Sequence, residues 1–226
     1  MKLPKIFIPE NNLENGLEKI LNKKVHITKF EIIYPHAYYT DTYAKYIAKL
    51  KEQGRKPFTF FENVEARISD YEANGENAEL FKTWLSSVTG IAYKAYNTKF
   101  KLILRSDKLE NIDFNQSFIP IDYDTEQGIE LDSTKGKYDQ DLTREEAKNH
   151  EFWLAVMNGD KEKLDRYVDI LFDKTGKKEG MGIYLTGGYR DELRALTLND
   201  DYLNSEASDH NYLFSNPRFI SNAQYS

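Results

Sequence analysis

The chain contains no cysteine. Disulfides, thiolate-held zinc, iron–sulfur clusters and thiol nucleophiles are therefore excluded together. Histidine is scarce: His26, His36, His150 and His210 are the whole supply, and none stands in an H-x-x-x-H or H-E-x-x-H spacing. A histidine-held metal would have to gather its ligands from distant segments. Long apolar runs are missing as well. The longest, Phe152 to Met157, has six residues, against the roughly 20 that a membrane-crossing helix needs. Lys2 and Lys5 give a basic start, but only Ile6-Phe7-Ile8 intervenes before Pro9. That is too short for a secretory apolar segment, so the expectation is a protein of the cytoplasm, or one held within a virion or other large assembly, with no membrane insertion. The patterns G-x-x-x-x-G-K-[ST], G-x-G-x-x-G and G-x-S-x-G do not occur. Their absence removes the usual phosphate-loop, dinucleotide and α/β-hydrolase markers, and Gly180-Met181-Gly182 and Gly187-Gly188 read as turn glycines.

What is present is a chain of 226 residues, 40% apolar and 30% charged, with 16 Tyr and 13 Phe. That is enough for one domain, or for two lobes (1–110 and 142–226) joined by the acidic, loop-rich segment 111–141. The formal charge of −6 argues against a dedicated nucleic-acid binder, whose phosphate contacts need a concentrated basic face. The charge is also uneven: residues 1–121 carry 18 basic and 15 acidic side chains, residues 122–226 carry 13 and 22. No internal repeat or low-complexity tract is present.

Hydrophobic spacing predicts an α+β fold, with mixed helices and short strands in the first half. Ile6 to Ile8 reads as a strand, and Leu13, Leu17, Ile20 and Leu21 as the stripe of a helix capped by Asn11 or Asn12. Val25 to Tyr34 is β-branched and aromatic up to Pro35. A helix is expected over 41–53 with Tyr43, Ile47 and Leu50 on one face. Phe58 to Phe61 reads as a strand, Val64, Ile68 and Tyr71 as a helix ending near Asn74-Gly75. Leu80, Phe81, Trp84, Leu85 and Val88 read as a further helix ending before Gly90. Lys99 to Arg105 alternates like a half-buried strand, and Phe118 to Ile121 is a short strand. In the second half, Thr143 and Glu146 form a capping box that opens an αα-hairpin of two helices over about 144–174. Gly182–Thr186 and Leu193–Leu198 read as a short β-hairpin, although 191–196 also fits a helix start. The tail after that has little periodicity and is expected to be irregular.

Four patterns carry candidate chemistry. His36, Tyr38, Tyr39 and Asp41 crowd aromatics, an imidazole and a carboxylate into one strand-to-helix junction, a candidate interface or ligand cluster because tyrosine offers large area with few rotatable bonds. Asp122-x-Asp124-x-Glu126 opens like a calcium loop, but the turn glycine is displaced to Gly128 and position twelve is Ser133, so it stands only as a cation-loop candidate and no metal or cofactor is expected. His150-Glu151 and Asp209-His210 are the adjacent acid–histidine pairs; neighbours on a helix point about 100° apart, which favours exposed polar residues over an acid–base pair. Asp173-Lys174-Thr175-Gly176 resembles the opening of the P-type ATPase phospho-acceptor motif. However, Lys177 stands where that family has Thr, and Asp173 ends a helical stripe where the family has a strand, so a helix C-terminus is the expectation.

With no catalytic motif, abundant aromatics and uneven charge, the reading is a non-catalytic structural or interaction protein that contacts other chains or copies of itself, as in a homo-oligomer or a viral assembly. Two alternatives have distinct signatures. A hydrolase would bring a histidine and a carboxylate together in a pocket, and a carbohydrate-binding module would show coplanar exposed tyrosines.

Overall fold

In the computed structural model, residues 43–113, 118–199 and 205–209 are described in full, and three outlying strands by their backbone. In chain order, β1 (Lys5–Phe7) and β2 (Phe30–Ile33) precede α1 (Tyr43–Glu52), β3 (Arg55–Pro57) and α2 (Phe60–Asn74). Next come β4 (Leu85–Tyr93), β5 (Lys99–Ile103), α3 (Asp107–Glu110), β6 (Ile119–Pro120) and β7 (Ile129–Asp132). The remainder comprises β8 (Leu142–Thr143), α4 (Arg144–Asn149), α5 (Glu151–Val156), α6 (Lys161–Thr175), β9 (Glu179–Gly180), β10 (Ile183–Tyr184), β11 (Glu192–Leu198), β12 (Ala207–Asp209) and β13 (Ile220–Ala223). The helix expected around Leu13–Leu21 lies outside the described residues.

The main sheet has the order β10-β12-β11-β4-β5-β7, with β6 paired to β11. A second sheet has the order β1-β2-β13-β3, and β8 pairs with β9. β4, β5 and β6 belong to the basic half of the sequence and β7, β10, β11 and β12 to the acidic half. The two charge classes therefore interleave in one sheet and do not form opposite poles.

β4 explains the main departure from the sequence reading. Every residue of it is buried, because both of its faces carry a core. Leu85, Ile91 and Tyr93 belong to the larger cluster, with Val64 of α2, Trp153 of α5 and Tyr167 of α6. Val88 and Ala92 belong to the other, with Tyr43, Ile47 and Leu50 of α1 and Leu109 of α3. Two apolar faces superimposed on a period of two give apolar spacings that imitate a helical stripe. Gly90, read as a helix stop, lies mid-strand, where a Cβ would fall 2.6 Å from the Leu193 side chain. It permits the close approach of β11.

Four other expectations are corrected. Phe58–Phe61 is no strand: Thr59 accepts the Glu62 N–H while Glu62 accepts the Thr59 N–H at 2.7 Å, a capping box that starts α2 at Phe60. The αα-hairpin has three helices, because His150 leaves helical geometry at ψ 129° and caps α5 anew. The capping box at Thr143 and Glu146 and the stop at Gly176 are as expected. The β-hairpin does not form. β12 lies between its two expected strands, parallel to β10 through Ile183↔Ala207 and antiparallel to β11 through Leu196↔Asp209. The tail is not wholly irregular: among its described residues, β12 and β13 pair in sheets, β13 between β2 and β3. Many of the aromatics are core. Phe60 and Trp153 pack at 5.7 Å between centroids, Phe81 stacks on Tyr167 at 5.7 Å, and the Trp153 indole N–H donates to the Met181 carbonyl at 2.9 Å.

Candidate functional site

β4 and β5 are joined by a turn closed by the Asn97 N–H on the Lys94 carbonyl at 3.2 Å. Tyr96 occupies its third position with φ 55°. That region is glycine's by default, and a bulky side chain there is strained. The turn is fastened to the loop that precedes β11: the Tyr96 N–H donates to the Gly188 carbonyl at 3.0 Å, and the Ala95 N–H to Asp191 Oδ1 at 2.8 Å. Gly188 has no room for a side chain, since a Cβ would lie 2.7 Å from the Tyr93 Cβ and 2.9 Å from the Arg190 carbonyl. Fastened so, the two segments present Tyr96 and Tyr189 side by side, 84% and 80% exposed. Their ring centroids are 6.3 Å apart with planes at 71°, edge to face.

The Tyr189 loop stands on buried charge. Asp209 of β12 accepts from the Thr186 N–H at 3.2 Å and from Arg194 Nη1 at 2.9 Å. Arg194 also donates to Glu192 at 2.5 Å, and Glu192 accepts from Arg190 Nε at 3.0 Å. The Arg190 guanidinium covers the Phe118 ring at 3.9 Å, and that of Arg194 covers Tyr93 at 4.9 Å. Each buried charge is thus paired and hydrogen-bonded, the condition under which burial is tolerated. Burial, with Asp209 nearby, pushes the Tyr93 phenol well above its ordinary pKa.

On the other flank lies the segment with Asp122, Asp124 and Glu126. Lys94 Nζ meets both Asp124 oxygens at 2.8 and 2.9 Å, Lys108 pairs with Glu126, and Asp122 Oδ1 accepts the Asp124 N–H at 3.2 Å. Lys101 Nζ donates to the Tyr123 and Glu126 carbonyls at 2.8 and 2.9 Å and sits 4.5 Å from the Tyr123 ring. Of the carboxylates that the sequence aligns for a cation, those of Asp124 and Glu126 are each paired with a lysine ammonium, and that of Asp122 accepts a backbone N–H. Among the described residues, no three His, Asp or Glu side chains gather as a metal site requires. The Lys94 hydrogen bond holds Asp124 below the usual carboxylate range.

His150 borders an open depression of about 460 Å³ lined by Lys135, Gly136, Lys137, Glu146, Asn149 and Glu151. Both of its ring nitrogens are taken. Nδ1 accepts the Phe152 N–H at 3.2 Å, so Nε2 bears the proton and donates to the Lys137 carbonyl at 3.0 Å. Burial lowers its pKa. Held neutral by two backbone partners and by no acid, this imidazole has no free nitrogen for a substrate proton. Beside it, the Lys137 ammonium and the Thr143 amide pull Glu146 down to about 2. Asp173 lies in α6, in contact with Arg144 at 2.5 Å, and Gly176 caps that helix.

His36, Tyr38, Tyr39 and Asp41, together with His26 and His210, lie outside the described residues. The structure instead brings forward Tyr96 and Tyr189, which the sequence reading did not single out. Gly187-Gly188 beside Tyr189 was the available signal, a turn next to an aromatic among polar neighbours. Nothing in the spacing announced Tyr96, because its positive φ is a property of the folded turn.

No family model and no curated protein matches the chain. A solved structure described as the accommodation of massive sequence variation in Nanoarchaeota by the C-type lectin fold superposes with a TM-score of 0.62 at 18% identity, over 87% of this chain and 99% of that one. The architecture is therefore that of the C-type lectin fold: a curled sheet with helices on its faces and mixed α and β content.

Proposed function

We propose that the chain is a single-domain, non-catalytic recognition protein that contacts another protein through the Tyr96–Tyr189 face. One observation carries this reading: a tyrosine kept at a glycine position of a turn, strained and almost wholly in water, paired with a second exposed tyrosine. Neither ring does anything for the core. A fold-stabilising sequence would place glycine or asparagine at position 96, and strain kept without a packing return is a mark of use. The commitment of both His150 nitrogens supports a role without acid–base chemistry. The neighbour's description, accommodating sequence variation on this fold, is consistent with a scaffold whose exposed loops do the recognising.

The carbohydrate alternative asks for coplanar rings, because a sugar stacks its flat face on an aromatic plane. At 71° the two rings cannot share one such face, and that angle favours a protein side chain seated between them. Tyr96→Gly together with Tyr189→Ala tests the reading. The variant is expected to melt at or above the wild-type temperature, since removing left-handed strain is worth about 1 kcal/mol. In parallel affinity purifications read by mass spectrometry, it is expected to lose the wild type's specific partners. A variant that keeps every partner refutes the proposal.

A further inference from the structure

We infer that the notch between Tyr96 and Tyr189 takes a guanidinium group, the side chain of an arginine presented by a partner protein. This rests on the recognition reading above and goes further by assigning the chemistry of what is recognised. Three features lead to it. In an edge-to-face pair, one ring offers its electron-rich face beside the other's edge, so a planar cation can lie on that face and still touch the second ring. The pair is also highly exposed, which leaves both rings accessible to an incoming side chain.

The second feature is the balance of charge around the rings. Each neighbouring cation already has an anion: Lys94 is held by Asp124 at 2.8 Å and Arg190 by Glu192 at 3.0 Å. Asp191 and Asp122 form no ion pair among the described residues, although both lie close enough to act on the Lys94 ammonium, after Asp124. Asp191 spends Oδ1 on the Ala95 N–H, next in sequence to Tyr96, and stands two residues from Tyr189. A carboxylate with no ion pair among the described residues thus sits where the two tyrosine segments meet. An anionic ligand would face repulsion from it, and a neutral one could hydrogen-bond to it but would gain no charge pairing. A guanidinium is satisfied by both the ring face and the acid.

The third feature is rigidity. The Gly188 carbonyl on the Tyr96 N–H, and the Asp209–Arg194–Glu192 pairs beneath the other loop, fix the spacing of the rings before a ligand arrives, which lowers the cost of ordering them on binding.

The test uses the full chain with its tyrosine rings labelled for NMR, the two signals being assigned with Tyr96→Gly and Tyr189→Ala. Three probes are titrated: a capped Gly-Arg-Gly peptide, its capped Gly-Gln-Gly counterpart, and a panel of free hexoses. The arginine peptide is expected to shift both ring signals saturably and the other probes to leave them in place. Asp191→Asn keeps the acceptor for the Ala95 N–H and removes the charge, so it should melt normally and bind the arginine peptide about fivefold more weakly. Equal response to the glutamine peptide, response to the hexoses alone, no response, or an Asp191→Asn affinity equal to wild type each overturns the assignment. If the arginine peptide leaves the rings unmoved while the double tyrosine variant still loses its protein partners, the recognition role stands and the guanidinium falls. If those partners are retained, the underlying reading fails independently of the peptide result.

Discussion

At the scale of single residues, His150 shows how a titratable group can be spent on structure. Its Nδ1 needs a lone pair to accept the Phe152 N–H, so a proton there would set two donors against each other. Burial already lowers its pKa, with the Lys137 carbonyl and Glu146 acting in the opposite sense. The sign of the consequence follows. The unfolded chain takes up this proton near the ordinary value of about 6.5 and the folded chain only at lower pH. In that interval the unfolded state binds more protons, so the stability contribution is intact above the unfolded value and is lost as pH falls toward the folded one. Thermal melts from pH 8 down to pH 5 should show the midpoint dropping below about pH 6.5. His150→Asn keeps a capping acceptor and cannot titrate, so the wild type should lose stability relative to this variant as pH falls. Parallel profiles would assign the dependence to another group.

At the scale of elements, stability and site share parts. The Tyr189 loop depends on Asp209, which is buried and binds both the loop amide at Thr186 and Arg194. Asp209→Asn leaves Arg194 short of one anion while Glu192 remains, and should cost about 3 kcal/mol in urea denaturation. It should also move the Tyr189 ring signal far more than that of Tyr96, whose turn keeps its own closing hydrogen bond. Legibility from sequence was uneven at this scale for physical reasons. The capping box at Thr143, the cap at Gly176 and the stripe of α1 were readable, because each is encoded within a few residues. Thr59 and Glu62 carried the same signal as Thr143 and Glu146, yet the aromatic run Phe58 to Phe61 masked it. β4 was misread because its partners, β11 and α1, supply a second buried face that no local window contains. β10 and β11 were paired by proximity, whereas β12 enters between them from further along the chain. The pairing of Tyr96 with Tyr189 was hidden for the same reason, since it exists only where the β4–β5 turn meets a loop about ninety residues later.

At the scale of the whole molecule, Arg67 joins distant parts. Its buried guanidinium donates to Tyr167 Oη and Ser205 Oγ, each at 2.9 Å. It also donates to the carbonyls of Thr83 at 2.8 Å, Leu198 at 3.3 Å and Asn199 at 3.2 Å. The charge is dispersed over neutral dipoles drawn from α6, the segment before β4, the end of β11 and the segment between β11 and β12. Lysine has fewer donors and no planar fork, so Arg67→Lys should leave several of these acceptors dry and cost about 3 kcal/mol, read as a lower denaturation midpoint at unchanged slope.

The placement of β13 has a temporal consequence. Its residues Ile220–Ala223 pair with Phe30–Ile32 on one side and Arg55–Pro57 on the other. β2 and β3 are translated long before the strand that separates them, and they acquire their common neighbour only after some 160 further residues have left the ribosome. The smaller sheet therefore cannot be completed until the chain has been made at least as far as Ala223. Until then, the edges of β2 and β3 that face it lack their partner, and unpaired strand edges are prone to mispairing.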